Sequence, residues 1–227
     1  MGLFLLDLSV RRKEPPMDKT IPVPTSKTKV ETVFAAELQM IADDDIRKFV
    51  ITCFNELCPD YFWTCPCSTT GKYHPKISLG EGGLVRHTKL AVWWGLELLS
   101  ALGYTLETTG SEPSEIVATL MLHDLIKNGK GLDTKGFPLE RGVTGSHGYV
   151  LANRISYECL DVELDADTRA RIFDGISGHM GCWTTRESAR PQSRFAELIH
   201  LADYCASRKV DDITAVLESQ KGATPNG

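Results

Sequence analysis

The sequence predicts an all-α protein, a helical bundle preceded by a flexible N-terminal extension. Apolar residues recur at intervals of three and four along several segments, which is the pattern of one buried face of an α-helix. No segment shows the convincing apolar–polar alternation of a half-buried β-strand, and no glycine-rich phosphate loop of the nucleotide-binding folds occurs. At 227 residues the chain is long enough for one sizeable domain with its own core.

Composition and charge restrict the classes of function. The chain is 42% hydrophobic and 24% charged, which is ordinary for a soluble globular protein. A formal charge of −5 argues against broad electrostatic capture of nucleic acid, although a local cationic pocket for one phosphate group stays open. The seven cysteines are an odd number at uneven spacing, so we expect mostly free thiols rather than a disulfide framework.

The two ends of the chain differ from its middle. Residues 1–29 are predicted to be a flexible leader, because 11–29 hold four prolines and six Lys/Arg with few apolar groups. The N-terminus lacks the order of charged and apolar residues that defines a signal peptide, and no apolar run approaches membrane-spanning length. We therefore expect a cytoplasmic protein with no membrane partner. One domain is predicted over residues 30–218, followed by a frayed polar tail at 219–227.

Two helices are predicted at the start of the domain. The first covers about Val30 to Ile41. The run Asp43-Asp44-Asp45 then caps a second helix, which ends before Pro59. The three aspartates could instead form a metal cluster, but helix capping and the helix dipole explain them better. The apolar stripe of the second helix is Ile46, Phe49, Val50, Cys53 and Leu57.

Two segments are predicted to be irregular. Residues 61–80 contain two prolines and a Ser/Thr run, and residues 128–146 contain five glycines and form a candidate lid. Four cysteines lie in or just before the first segment: Cys53, Cys58, Cys65 and Cys67. They could hold a structural zinc, but the usual paired CxxC knuckles are absent, so buried or inert thiols are favoured. His74 could reach a substrate, although an ordinary loop histidine is the preferred interpretation.

Two further helices are predicted in the middle of the chain. One begins at Gly82-Gly83 and runs to Ala101, with His87 on its core-facing side. The next follows Pro113 and leads to His123-Asp124, where an apolar run stops at two adjacent metal-capable side chains. Neighbours on a helix are about 100° apart, so this pair can share an ion only on the flank between them.

Three more helices complete the predicted bundle. His147 begins the first of them. Asp165 or Asp167 can cap the second, which leads to His179. Pro191 suits the first turn of the third, the last long helix of the chain.

Metal-capable residues recur at the ends or inner faces of these helices. Six residues share this placement: His87, His123, Asp124, His147, His179 and Asp203. Each alone could be a core histidine bonded to a carbonyl or a capping aspartate, but their recurrence on successive helices favours a metal centre inside the bundle. Imidazole with carboxylate suits Zn²⁺, Mn²⁺, Fe²⁺, Co²⁺ or Ni²⁺, and Mg²⁺ with more water ligands.

The order of these residues resembles the HD superfamily of metal-dependent phosphohydrolases. The matching contexts are Gly82-Gly83-Leu84-Val85-Arg86-His87-Thr88, Leu122-His123-Asp124-Leu125-Ile126-Lys127 and Leu201-Ala202-Asp203. The resemblance covers about residues 82–208, the core of the domain. The Gly-Gly-Leu context before the first histidine is similar to the branch that includes HD-type 3′→5′ exoribonucleases.

The resemblance implies one or two divalent ions. Four residues would hold the first: His87, His123, Asp124 and Asp203. Asp124 would bridge to a second ion held by His147 and His179. The two-ion form often has a His-His pair where this chain has His179-Met180, so a single ion stays open. His200 is either a partner of these ligands or a histidine on a helix surface.

The expected activity is hydrolysis of a phosphoester bond in a nucleotide, either a mononucleotide, a nucleoside triphosphate or a cyclic nucleotide. A bound cation would lower the pKa of its water and polarise the phosphoryl oxygens. Asp124 and Lys127 are the expected catalytic residues, with Lys127 neutralising a non-bridging phosphate oxygen; its alternative role is to complement the helix dipole. Four cations are weaker candidates for phosphate contact: Arg86, Arg141, Lys89 and Lys130.

Two other functions stay open. A 3′→5′ nuclease on single-stranded RNA or DNA would need a positive groove and aromatic stacking surfaces near the metals, and no separate nucleic-acid-binding domain is visible in the sequence. A non-catalytic module could keep the same fold for sensing or assembly, although a pure binder has no need of a metal-activated water. The sequence predicts neither the oligomeric state nor the native metal.

Overall fold

A computed structural model describes most of the predicted domain. The described residues are 30–68, 71–102, 113–127, 146–159, 162–184 and 186–208. Several predictions fall outside them: the flexible leader, most of the glycine-rich segment 128–146 with Lys130 and Arg141, and the frayed tail.

Eight α-helices make up the described part of the chain, and no β-strand occurs there. They are α1 (Val30–Val33), α2 (Ala35–Met40), α3 (Asp44–Leu57), α4 (Gly83–Ala101), α5 (Pro113–Leu122), α6 (His147–Glu158), α7 (Ala166–Gly178) and α8 (Arg194–Ala206). Short 3-10 turns cover Asp60–Trp63, Lys76–Ser78, Gly181–Trp183 and Glu187–Ala189. The prediction of an all-α fold is confirmed.

The first predicted helix is divided, and the second is capped as expected. Phe34 separates α1 from α2, but the break is local, since its N–H donates to the Val30 carbonyl at 2.9 Å. Asp43 caps α3, because its carboxylate accepts from the N–H groups of Asp45 and Ile46 at 2.9 and 3.0 Å. These bonds satisfy backbone donors that have no partner inside the helix. Capping therefore accounts for the acidic run.

The two glycines before Leu84 allow α4 to begin tightly against the irregular segment. Gly82, its N-cap, has φ of +70°, a left-handed conformation that side chains with a Cβ rarely adopt. A Cβ added to Gly83 would collide with the Ser78 carbonyl and approach the Pro66 Cα within 3.0 Å. The Gly-Gly pair thus brings the loop of residues 61–80 directly onto the first turn of the helix that carries His87.

Helix α4 lies at the centre of the bundle. It packs along α8 and α5, while α7 packs against α8, α6 and α5. Fully buried apolar side chains fill the space between these helices: Leu84, Ala91, Ile116, Leu120, Leu151, Ile172, Ile176 and Ile199. Burial of this apolar surface is the main favourable term in the folding free energy. No helix in the described residues has the length and apolar character required to cross a lipid bilayer.

Helix α8 begins later than predicted. Pro191 lies before the helix rather than in its first turn, and Ser193 is the N-cap, accepting from the N–H of Ala196 at 3.1 Å. The Ser193 hydroxyl also bonds to the Asp174 carboxylate of α7. Ser193 thus caps α8 and bonds to the neighbouring helix α7. These two interactions fix the start of α8 more strongly than the preference of proline for a first turn. At the start of α7, Asp165 rather than Asp167 provides the cap.

Candidate metal centre

His123 and Asp124 lie in the turn that follows α5. The helix ends at Leu122, so the prediction that the pair lies on a helix flank was wrong. The N–H of His123 still donates to the Thr119 carbonyl at 2.9 Å, but Lys127 then donates its N–H to Asp124 at 3.2 Å, closing a tight turn. This turn directs both metal-capable side chains inward, where they are 0% and 1% exposed.

Four side chains from three parts of the bundle form a first metal-capable group. They are His87 of α4, His123 and Asp124 of the turn, and Asp203 of α8, each offering a ligand atom within 4.8 Å of the others. Nε2 of His87 lies 3.0 Å from Oδ1 of Asp203 and 3.4 Å from Nε2 of His123. The structure thus brings together the four residues that the resemblance assigns to one ion.

Three side chains form a second metal-capable group, which shares Asp124 with the first. Nε2 of His147 lies 2.8 Å from Oδ1 of Asp124 and 2.9 Å from Nε2 of His179. His147 begins α6, His179 is the C-cap that follows α7, and these helices pack against each other. Gly148 permits this close approach, because a Cβ there would collide with the Ile176 carbonyl and come within 2.8 Å of the His179 ring.

Backbone carbonyls orient two of the imidazoles for metal binding. Nδ1 of His123 lies 2.6 Å from the Leu120 carbonyl, and Nδ1 of His179 lies 2.7 Å from the Ile176 carbonyl. A carbonyl can only accept, so each Nδ1 carries a proton. In a neutral imidazole Nε2 then holds a lone pair, and in both residues this atom faces the cluster. The donor set therefore suits a divalent cation.

The charge states of Asp124, Asp203 and His147 suit metal ligands, whereas His87 would have to lose a proton to bind an ion. Burial would lower the pKa of His87, but the neighbouring Cys67, Asp124 and Asp203 hold it well above its ordinary value. Burial would raise the pKa of Asp124, but the Lys127 ammonium and His123 outweigh it and hold that pKa well below its usual range. Burial would likewise raise the pKa of Asp203, whereas the neighbouring imidazoles of His123 and His87, whose Nε2 atoms lie 3.6 and 3.0 Å from Oδ1, hold it well below the ordinary value. Burial lowers the pKa of His147. Ionised carboxylates and a neutral imidazole are the forms that bind a cation.

Lys127 occupies the edge of the cluster, on the same side as an unpredicted thiol. Its Nζ lies 2.7 Å from Oδ2 of Asp124 and 3.3 Å from Sγ of Cys67. Its side chain is 22% exposed, so the residue lies at the edge of the cluster rather than in its interior. Burial would raise the pKa of Cys67, but the positive charges of His87 and Lys127 lower it to about 5.

The loop of residues 61–80 contributes more to this region than the sequence indicated. Cys67, His74 and His87 each offer a potential ligand atom within 4.8 Å of the others. The His74 ring lies 5.6 Å from the His87 ring, so this loop histidine contacts the cluster, and its contact with a substrate stays a prediction. No periodic pattern marks Cys67 or His74; the only signal was the Gly-Gly pair that allows the loop to approach α4.

The other three cysteines of the predicted set, Cys53, Cys58 and Cys65, are buried or half-buried thiols. Burial raises the pKa of Cys65 to about 12 and raises the pKa values of Cys53 and Cys58 further. In the described residues no metal-capable group contains these three cysteines. The interpretation of them as inert thiols is therefore consistent with their surroundings, whereas Cys67 differs.

The remaining candidates have other contacts or lie outside the described residues. Arg86 donates from Nε to the Ile77 carbonyl at 2.6 Å and from Nη2 to the Leu79 carbonyl at 2.9 Å, and so anchors the loop on α4. Its contact with a substrate stays a prediction. Lys89 forms an ion pair with Glu37 at 2.8 Å. Arg141 and Lys130 lie outside the described residues.

His200 contacts the cluster through the backbone of one of its members. Its Nδ1 lies 2.7 Å from the carbonyl of His179, which accepts the hydrogen bond. Gly181 makes room for the His200 ring, since an added Cβ would collide with it, and its φ of +55° is one that other residues rarely adopt. His200 therefore supports the turn that follows α7 and does not merely occupy a helix surface.

Comparisons with known proteins give no relative. No protein-family model matches the chain, and neither curated proteins nor solved structures gave a match.

Proposed function

We propose that this protein is a metal-dependent phosphohydrolase of the HD type, which cleaves a phosphoester bond of a nucleotide with a metal-activated water. The observation that carries the proposal is the position of Asp124. Its Oδ2 faces the group of His87, and its Oδ1 faces the group of His147. A carboxylate with one oxygen toward each of two imidazole groups is an arrangement suited to bridging two cations.

The donor set supports a hard to borderline divalent cation. Imidazole nitrogens with carboxylate oxygens suit Mn²⁺, Co²⁺, Fe²⁺, Zn²⁺ and Ni²⁺, and Mg²⁺ where water completes the shell. Such an ion, when bound, supplies an activated water and polarises phosphoryl oxygens. The first group offers four ligand residues and the second offers three, one of them shared. Two ions are thus compatible with the side chains although Met180 stands in the place of a paired histidine.

Lys127 supports a phosphate substrate rather than a neutral one. Its ammonium is held 2.7 Å from Oδ2 of Asp124, at a partly exposed edge of the cluster. A fixed cation here can bind a non-bridging phosphate oxygen and stabilise the negative charge that builds on it in the transition state. Because Asp124 already orients the ammonium, little reorganisation is needed when a substrate binds.

A panel of substrates tests the proposal. The purified chain is incubated with nucleoside mono- and triphosphates, cyclic nucleotides and 5′-labelled oligonucleotides in the presence of Mn²⁺, Co²⁺ or Mg²⁺. We expect metal-dependent release of phosphate or nucleoside, lost in Asp124→Asn and kept in Asp167→Asn. Asp167 is the matched control, because it is an exposed aspartate in the first turn of α7.

The outcomes separate the alternatives. Absence of any product with every metal contradicts the proposed hydrolase. Metal binding without hydrolysis would then favour a non-catalytic module. Progressive shortening of the labelled oligonucleotides would favour the 3′→5′ nuclease over an enzyme restricted to mononucleotides.

A further inference from the structure

Beside the metal centre, three exposed aromatic rings surround one arginine. Tyr73, Trp183 and Tyr204 are 54%, 50% and 37% exposed. The guanidinium carbon of Arg208 lies 4.1 Å from the ring centroid of Tyr204, 5.5 Å from that of Trp183 and 5.6 Å from that of Tyr73. We call these four residues the aromatic platform. Large aromatic side chains are seldom left at a surface in a cluster, so this concentration suggests a binding role.

The rings of the platform are arranged for stacking. Trp183 and Tyr204 lie nearly parallel, with centroids 5.5 Å apart and an interplanar angle of 16°. Offset stacking of this kind is the favoured geometry for two aromatic rings. Half of Trp183 remains exposed after this contact, so the platform retains surface on which a further planar ring can stack.

The platform adjoins the cluster through three separate parts of the chain. Tyr204 follows Asp203, a member of the first metal-capable group. Tyr73 precedes His74, whose ring lies 5.6 Å from that of His87. The His200 ring lies 5.7 Å from Trp183 and is bonded to the carbonyl of His179. The platform is therefore linked to the metal-capable cluster by adjoining residues, and a ligand that occupies both is the arrangement to test.

We propose that the aromatic platform binds the base of a nucleotide whose phosphate lies at the metal centre. This inference rests on the proposed function and assigns the surface that holds the base of the substrate. Stacking on Trp183 would hold the base. Arg208 would add positive charge beside the rings, and a guanidinium close to aromatic rings favours the stacking of a base.

The aromatic platform should bind different bases about equally well. Every base has a π-face, so stacking on Trp183 distinguishes a substrate with a base from one without, and does not select one base over another. The same base can belong to a mononucleotide or to the end of a single strand. The platform would bind the base in the same way in both ligands. They differ only in whether further nucleotides are attached.

The decisive experiment measures the effect of Trp183→Ala on pairs of substrates that differ only in whether they carry a base. The values of kcat/KM are compared for a nucleoside 5′-monophosphate and for ribose 5-phosphate, and for a dinucleotide and its analogue with one abasic residue. We expect Trp183→Ala to lower kcat/KM about 10-fold for the base-bearing member, mainly through KM, and to leave the other unchanged. Trp183→Phe should restore most of the loss, since it keeps a ring. The larger loss, in mono- or dinucleotides, identifies the source of the base.

Tyr157→Ala is the matched control, because Tyr157 is an aromatic residue that is 78% exposed on α6 and is not part of the platform. It should change neither member of the pair. If Trp183→Ala lowers kcat/KM equally for both members of a pair, or does not lower it at all, the proposed role of the platform is contradicted. A merely structural role for Trp183 would lower thermal stability without changing the preference for a base.

A binding measurement separates failure of the platform from failure of the hydrolase. Adenosine and cytidine are titrated into the full chain in the presence of a chelator, and tryptophan fluorescence is followed. Quenching that Trp183→Ala removes and Tyr157→Ala retains supports the platform even if no substrate is hydrolysed. If the chain hydrolyses nucleotides but Trp183→Ala changes neither the quenching nor the preference for a base, the proposal for the platform is contradicted. The proposal that the protein is a hydrolase is then unaffected.

Discussion

The Oδ1 atom of Asp124 lies 2.8 Å from Nε2 of His147, while the Oδ2 atom of the same carboxylate lies 3.4 Å from Nε2 of His87. One side chain therefore takes part in both metal-capable groups. His87 and His147 come from α4 and α6, and the turn after α5 places Asp124 between them. Any change at Asp124 should affect both groups together, whereas a change at either histidine should affect one.

Replacing Asp124 with Asn should abolish metal binding at both groups. Asparagine keeps the size of the side chain but removes its charge, and only one of its two terminal atoms can ligate a cation. Equilibrium dialysis against Mn²⁺ with elemental analysis measures the bound metal, and circular dichroism checks the fold. Asp167→Asn is the control and should bind as the unchanged chain does. Undiminished Mn²⁺ in Asp124→Asn would contradict the assignment.

Replacing His147 with Ala should remove one of two bound ions. His147 belongs only to the second group, so the four residues of the first stay in place. We expect the stoichiometry of Co²⁺, measured by titration calorimetry, to fall from two per chain to one. The reciprocal variant His87→Ala should impair the first group and retain binding at the second. A wild-type chain that binds one ion, unchanged by His147→Ala, would argue against a second position.

The metal-capable cluster illustrates what sequence order could predict. His87 and Asp203 lie on the inward faces of helices, where helical periodicity indicates burial from the sequence alone. The grouping of distant histidines came from their order along the chain and its resemblance to a known family, because nothing in a single sequence measures distance in space. The bundle places five of the six residues in one of the two expected groups and Asp124 in both.

The parts of this region that the sequence did not predict lie in loops and turns. Cys67 and His74 belong to a segment without periodicity, and only the close approach of the loop to Gly83 brings them to His87. The aromatic platform joins Tyr73 to Arg208, which are far apart in the chain and meet only through tertiary packing. Local propensity carries no information on such contacts.

Metal should stabilise the folded chain measurably. The unfolded chain does not preserve a cluster assembled from several helices, so a cation binds the folded state preferentially. At a free concentration about 100 times its Kd, one ion adds about 2.7 kcal/mol, which corresponds to a rise in Tm of about 5–10 °C for a chain of this size. Differential scanning fluorimetry with Mn²⁺ and with a chelator measures it. Asp203→Ala should remove the part of the rise that comes from the first group and keep the part that comes from the second. An equal rise in that variant would contradict the first group.

Replacing Lys127 with Met should lower turnover while metal binding persists. Methionine has a similar length but no charge, so the phosphate loses the cation proposed to stabilise it in the transition state. Loss of one such contact costs on the order of 100-fold in kcat. Lys48→Met, which removes an exposed ammonium that is paired with Asp45 on α3, is the control and should leave kcat unchanged. If kcat is unaltered in Lys127→Met, Lys127 does not stabilise the transition state and its role is only to orient Asp124.

Away from the metal centre, a buried ion pair joins α5 to α7. The Arg171 guanidinium donates two hydrogen bonds of 2.7 Å to the carboxylate of Glu115, which is 1% exposed and also accepts from Thr168. Arg171→Ala would leave the buried Glu115 carboxylate with the weaker hydrogen bond from the Thr168 hydroxyl. We expect the free energy of unfolding to fall by about 2–3 kcal/mol, the lower end for broken buried pairs, because Arg171 is partly solvated. Urea denaturation measures the loss. Arg154→Ala, which breaks the exposed pair with Glu158, should change stability little.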